Sequence, residues 1–190
     1  MPRLTALSPQ TPPPPELTRK FALPPVVTPG TRVLILGSLP GEASLAAGQY
    51  YAHPRNRFWD LAGAVIGRDD LPALRYEERL AALGAGGIGL WDAIASAHRP
   101  GSLDAAIRNA DAAPLQSLAA GLQILRAVAF NGAKSAAIGR RALAGSRLAL
   151  IDLPSSSPAH AAMSYGEKRE KWLVLQEFLR EGLQPWPASP

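Results

Sequence analysis

Four short apolar runs recur along the chain, and helical periodicity fills the intervals between them. The runs are "RVLILG" (residues 32–37), "GIGLWDAI" from Gly87, "LRAVAFNG" from Leu125 and "RLALIDLPS" from Arg147. Each is too short for an ordinary helix and closes on glycine, proline or polar turn formers, which is the pattern of strands. Helical spacing covers 56–66, where Phe58, Leu61, Ala62 and Val65 share a side, then "YEERLAALGAGG", whose glycines form a C-cap, then 114–122, 134–144 and 165–180. Strands that alternate with helices in this way pair in parallel and are covered on both faces. The predicted fold is α/β: a three-layer α/β/α sandwich around a mostly parallel four-stranded sheet. Ligands of such sheets bind beyond the carboxyl ends of the strands, so the segments that follow each strand are the ones to search for function.

A chain of 190 residues can bury one sizeable core. Residues 8–27 read "SPQTPPPPELTRKFALPPVV", in which repeated prolines remove backbone donors, and a flexible arm is expected over 1–26. A single domain is expected over 27–183, and the tail "QPWPASP" over 184–190. The 20 Lys and Arg against 15 Asp and Glu give a net charge of +5, which suits a polyanionic partner, although the cations are scattered as on a solvated surface. With no cysteine, disulfides, thiolate nucleophiles and Cys-held clusters are excluded. No apolar run approaches the ~20 residues that cross a bilayer, and the N-terminus has no charged and apolar leader pattern. These features predict a soluble, cytoplasmic protein with no membrane association.

The first strand is followed by "GSLPGEASLAAGQYYAHPRNRFW", much longer than the usual strand-to-helix connection of about 2–6 residues. Its glycines and proline, with Gly37, Ser38 and Leu39 at the start, bring backbone N–H groups close to a ligand. Four rings (Tyr50, Tyr51, Phe58 and Trp59) and two guanidinium groups (Arg55 and Arg57) gather around one carboxamide, Asn56. Rings stack bases and arginines fork onto phosphates, a combination that fits nucleic acid. Phe58 and Trp59 begin a helix, so core packing claims at least one of them. Two readings hold for Asn56, a helix cap or a holder of water.

Asn131, in "FNG" after the third strand, is either a turn residue or a reader of a donor and acceptor edge. After the fourth strand, Ser155, Ser156, Ser157, Pro158, Ala159 and His160 precede a helix carrying Lys168, Arg169 and Lys171; the serines are caps or part of a clamp on a sugar–phosphate backbone. Asp92 and Asp104 support the site from behind, or are a strand-end turn and a helix-start carboxylate. No phosphate-binding glycine loop, zinc-protease helix or nucleophile elbow occurs, and three histidines without a dense carboxylate cluster provide no metal site.

Taken together and in order, "LILGSLPG", "YYAHPRNRFW", "FNG" and "LPSSSPAH" resemble the uracil-DNA glycosylase superfamily, most closely its hypoxanthine-DNA glycosylase branch, over roughly residues 30–180. The resemblance implies a monofunctional DNA N-glycosylase, without cofactor or metal, that acts as a monomer on DNA carrying a deaminated base. It places Leu39 where most relatives carry a water-positioning Asp or Asn, and matches Asn56 to the asparagine that replaces it in this branch. Tyr51 then stacks the everted base, while Gly37, Ser38, Leu39, Asn131 and Ser155 surround it. Arg55, Arg57, Lys168 and the stretch Ser156, Ser157, Pro158, Ala159 and His160 contact the DNA. The rival expectations are a uracil or mixed-specificity glycosylase, a non-catalytic DNA-binding module, and a small-molecule α/β enzyme.

Overall fold

The computed structural model describes residues 19–180. In chain order these form β1 (Arg19–Phe21), β2 (Val33–Gly37), α1 (Glu42–Ala47), α2 (Phe58–Ile66), α3 (Tyr76–Ala85), β3 (Ile88–Asp92), β4 (Ile94–His98), β5 (Arg108–Ala112), α4 (Leu115–Gly121), β6 (Ala127–Asn131), α5 (Ala133–Ala142), β7 (Ala149–Leu153), α6 (Tyr165–Trp172) and α7 (Gln176–Leu179). The four runs read as strands are β2, β3, β6 and β7, and they form one parallel sheet in the order β3-β2-β6-β7.

The alternation of side chains along β2 and β6 builds the layers. Val33, Ile35, Ala127 and Ala129 face a core completed by Phe58, Leu61, Val65, Leu83, Trp172 and Leu175 from α2, α3, α6 and the 3₁₀ turn Leu173–Leu175. Leu34, Leu36, Val128 and Phe130 face the opposite core, with Leu115, Ala136 and Leu143 around α4 and α5. Burying each large aliphatic side chain contributes about 1.5–3 kcal/mol, so the central strands dominate the stability of the domain. β7 lies at the sheet edge, which leaves its Asp152 exposed, in contrast to the fully covered β2 and β6.

A second sheet, antiparallel and ordered β1-β4-β5, escapes the periodicity. After β3 the chain goes through Ala93 directly into β4; the Ala93 and Ile94 N–H groups donate to Gly37 and Ser38 carbonyls at 2.8 and 3.1 Å, joining the two sheets at the end of β2. β5 is "RNADA", polar and exposed throughout, so no apolar alternation marks it. A third small core of Leu39, Ile94, Ala97 and Ile107 lies where the sheets meet.

The expected boundary at residue 26 is corrected, because the packed chain already includes Arg19–Phe21 paired to β4 and Val26 bridged to Leu90. Proline lacks a donor but keeps its carbonyl: the Tyr50 hydroxyl lies 3.1 Å from both the Leu23 and Pro24 carbonyls, and the Trp91 indole donates to the Leu23 carbonyl at 3.2 Å. The rest of the expected arm and the tail over 184–190 lie outside the described residues. The last predicted helix is broken by its 3₁₀ turn, and α1 interrupts the long connection after β2. No helix among the described residues is long and apolar enough to cross a membrane.

Trp172 is fully buried, donates its indole N–H to the Pro154 carbonyl at 3.0 Å and meets Phe58 edge to face at 5.7 Å. Trp172→Ala is expected to cost about 3–5 kcal/mol, read as a lowered denaturant midpoint.

Candidate active site

The carboxyl ends of the parallel strands open into a cleft of about 910 Å³, lined by the segments that follow β2, β4, β6 and β7 and by Asp92 at the end of β3. Among the described residues no group of three or more His, Cys, Asp or Glu side chains is placed to hold a metal ion. Gly37, Ser38, Leu39, Tyr51, Arg55, Asn56, Asn131, Ser155, Ser156, Ser157, Pro158, Ala159 and His160 all line this cleft.

Asn56 is half-buried on its wall. Its Oδ1 accepts from the Phe58 N–H at 3.0 Å, just before α2, and its own N–H donates to the His53 carbonyl at 2.9 Å. The cap therefore uses one lone pair of the amide oxygen, and the other lone pair and the NH₂ group make no further hydrogen bond to described residues. Tyr51 takes a left-handed backbone conformation (φ 53°), rare for a bulky residue and a conformation that concentrates at functional sites. One face of its ring stacks on Phe58 with centroids 3.7 Å apart and planes 6° apart, so only its other face is available to a ligand. Phe58 and Trp59 both belong to the core.

Across the cleft, Asn131 and Ser156 hold each other. The Asn131 amide donates to Ser156 Oγ at 2.9 Å and accepts from the Ser156 N–H at 2.8 Å. Both residues are buried, so the exchange satisfies groups that water cannot reach. Gly132 follows with φ 107°, and a side chain there would meet the Ser155 Cβ at 3.2 Å, which explains the glycine in "FNG". The Ser156 carbonyl accepts from the Arg57 N–H at 3.1 Å, tying this loop to the start of α2. Ser155 and Ser157 cap the loop internally, accepting from the Ser157 and Ala159 N–H groups. Pro158, Ala159 and His160 are exposed at its tip.

Three of the residues expected on this face have other partners in the structure. Lys168 is buried and donates to the His160 carbonyl at 2.7 Å, with burial lowering its pKa; it fixes the loop and does not present its charge to a phosphate. Arg57 is exposed but lies outside the cleft lining, 3.5 Å from Asp60 and over the Tyr165 ring. The free amide edge expected of Asn131 is likewise largely taken by Ser156.

The groups that periodicity could not find come from the second sheet. Arg99, 1% exposed, sends its guanidinium to the Leu39 carbonyl at 3.0 Å and to the Pro40 carbonyl, and lies 3.9 Å from Asp104. Asp104 accepts from Ser38 Oγ at 2.6 Å. These bonds fix the peptide planes of the turn after β2 from behind. Arg99 could be noticed in the sequence only as one more scattered cation.

Asp92, at the end of β3, is 3% exposed on the cleft floor. Burial pushes its carboxyl up to about 7, the Arg99 charge and the Tyr50 hydroxyl oppose this, and Asp104 adds to it. The Tyr51 hydroxyl is raised as well, first by burial and then by Asp92. Gly37 has to be glycine because a Cβ there would meet Asp92 Oδ1 at 2.5 Å and Tyr51 Oη at 3.3 Å.

The folded state holds a proton on Asp92 that the unfolded chain releases above about pH 4. Between about pH 4 and pH 7 the folded protein binds more protons than the unfolded chain, so this carboxyl lowers stability progressively as pH rises through that window. Asp92→Asn is therefore expected to raise Tm by several degrees at about pH 8 and by much less at about pH 5, measured by thermal denaturation at the two values.

Comparison with known proteins gives the family of the chain. Residues 24–179 match the model of the uracil DNA glycosylase superfamily. A hypoxanthine DNA glycosylase of Methanosarcina barkeri (strain Fusaro / DSM 804) is 43% identical over 117 residues, covering 62% of this chain and 73% of the relative. A hypoxanthine DNA glycosylase of Methanosarcina acetivorans is 36% identical over 151 residues, covering 80% of this chain and 94% of the relative. The solution NMR structure of a Methanosarcina acetivorans protein proposed to be a uracil DNA glycosylase superposes with a TM-score of 0.76 at 34% identity, over 85% of this chain and 99% of that one. With its fold and the greater part of its length matched, this chain belongs to the uracil DNA glycosylase superfamily.

Proposed function

We propose that the protein is a monofunctional DNA glycosylase that everts a deaminated base, with hypoxanthine as the leading substrate, and hydrolyses its N-glycosidic bond to leave an abasic site. The relatives named for hypoxanthine support this substrate, and the observation that carries the chemistry is Asn56, half-buried on the cleft wall with amide capacity left after capping Phe58. Action as a monomer, in the cytoplasm with the cell's DNA, goes with this reading.

A base inside the duplex is out of reach, so the nucleotide rotates out of the stack at a cost of a few kcal/mol that mispairing reduces. The exposed tip at Pro158, Ala159 and His160 meets the vacated step, and Arg55 at the cleft rim takes a phosphate. The free face of Tyr51 stacks the base. Backbone N–H groups of Ser38 and Leu39, with Ser155 and the remaining capacity of Asn131, surround it.

Cleavage proceeds through an oxocarbenium-like sugar. Water oxygen forms the new bond at C1′, the C1′–N electron pair leaves with the base, and the proton lost by the water passes through solvent to that base, giving an abasic sugar hydroxyl and the neutral free base. A carboxamide is too weak a base to remove that proton in the ground state, so Asn56 holds and aims the water through the second Oδ1 lone pair and Nδ2. The rate enhancement comes from this orientation and from fixed donors facing the departing base. The Arg99 and Asp104 bonds keep those donors in place.

Incision of duplexes carrying deoxyinosine or deoxyuridine, followed by alkali, tests the assignment; cleavage at uracil alone would give the substrate to the rival reading. Asn56→Ala is expected to lower excision at least ~100-fold while duplex binding persists, and to cost about 1 kcal/mol for the lost cap. Arg55→Ala is expected to weaken binding to all duplexes alike and to reduce the salt slope by about 1, read from affinity across a salt series.

A further inference from the structure

Among the described residues four buried side-chain atoms with hydrogen-bonding capacity have no partner: Tyr51 Oη, Trp59 Nε1, Asp92 Oδ2 and Arg99 Nε. Tyr51 and Asp92 share the cleft floor, since both side chains converge on the space kept empty by Gly37. A buried polar atom left unpaired costs roughly 1–3 kcal/mol, and two at one place in a cleft point to a ligand that supplies the missing partners. Asn131 lies near the Tyr51 hydroxyl without meeting hydrogen-bond geometry, and its amide is engaged with Ser156.

We infer that Asp92 and the Tyr51 hydroxyl are the base-reading pair of this pocket, and that the edge they read is the lactam created by deamination. The inference rests on the glycosylase reading above and deepens it. Deamination turns a ring nitrogen acceptor beside an amino donor into a ring N–H donor beside a carbonyl acceptor: adenine becomes hypoxanthine, cytosine becomes uracil. The carboxylate of Asp92 accepts the ring N–H, and the Tyr51 hydroxyl donates to the carbonyl. An undamaged adenine presents its N1 lone pair to the ionised carboxylate, which repels it, while its amino group can still donate to the hydroxyl oxygen, so the discrimination rests mainly on Asp92. Sites built around such hydrogen bonds reject the analogue lacking them by ~10⁴-fold or more.

The surroundings of Asp92 fit this role. The titratable and charged groups that face it are Arg99, Tyr50, Tyr51 and Asp104. Burial favours the protonated carboxyl and Arg99 opposes it, so that Asp92 titrates up to about 7 and its ionised form, which accepts a ring N–H, gains as pH rises through neutrality; burial strengthens the bond once it forms. Tyr50 lines the same cleft, with its hydroxyl 3.1 Å from the Leu23 and Pro24 carbonyls and near enough to Asp92 to favour the ionised carboxyl. Tyr51 thus has two tasks, its ring face for stacking and its hydroxyl for the base edge.

The test is single-turnover excision on deoxyinosine and deoxyuridine duplexes by wild type, Tyr51→Phe and Asp92→Asn, alongside Tm near neutral pH. Removing an unpartnered buried group does not weaken the fold, whereas removing a structural hydrogen bond does. The expected result is a loss of tenfold or more on deoxyinosine for Tyr51→Phe and a larger loss for Asp92→Asn, each with Tm equal to or above wild type. Wild-type rates on deoxyinosine in both variants, or rate losses that accompany a fall in Tm, overturn the pair. Wild type should also refuse 1-methyl-deoxyinosine, which lacks the ring N–H, and excision of that base at the deoxyinosine rate is a second route to refutation. If wild type excises neither hypoxanthine nor uracil, the glycosylase reading itself fails; if it excises either and the variants match it, only the base-reading pair is lost.

Discussion

Parallel pairing of β2 with β3 on one side and β6 on the other sets the position of everything in the cleft. The register aligns Gly37 with Asp92 and Leu36 with Phe130, so Gly37, Asp92 and Asn131 emerge side by side at one rim of the sheet. This register is enforced from both faces, because a slip of one residue would turn Val33 and Ile35 away from one core and Leu34 and Leu36 away from the other. The chemistry of the site is therefore anchored by apolar burial some distance behind it.

The small antiparallel sheet supplies what the parallel sheet cannot, a brace for the turn after β2. Three carbonyl or hydroxyl groups of Ser38, Leu39 and Pro40 are held by Arg99 and Asp104, and the Leu39 side chain is buried with Ile94, Ala97 and Ile107. A flexible turn would have to be ordered each time a base entered; one braced in this way presents its N–H groups at no further entropic cost. The burial of Arg99 is tolerated because backbone carbonyls and Asp104 surround its charge.

Polar side chains at the opposite wall divide into those that hold loops and those that remain for a ligand. Asn131, Ser156 and Lys168 hold, since each is buried and its hydrogen bonds run to other parts of the same wall. Asn56 does both, capping α2 while retaining amide groups toward the cleft. Asp92 Oδ2 and the Tyr51 hydroxyl are buried with no hydrogen-bond partner, which separates them from their neighbours. The distinction lies in hydrogen-bond accounting and not in residue type, since asparagine and serine are found in both roles.

The sequence by itself determined the three-layer sandwich, the alternation of its parallel strands with helices and most of the segments that line the cleft, because buried strands and amphipathic helices write their burial as local periodicity, and because the "YYAHPRNRFW" loop is too long and aromatic to be a simple connection. It could not reveal the second sheet, whose β5 is polar and exposed and whose β1 sits among prolines, since those strands are stabilised by partners far away in the chain. Only the tertiary structure decided that Lys168 faces inward, that Asn131 is held by Ser156, and that Arg99 and Asp92 stand behind and beneath the turn after β2. The physical reason is that burial propensity is carried by each residue and its near neighbours, whereas the partner of a polar group is fixed by which distant segment folding brings within hydrogen-bonding reach.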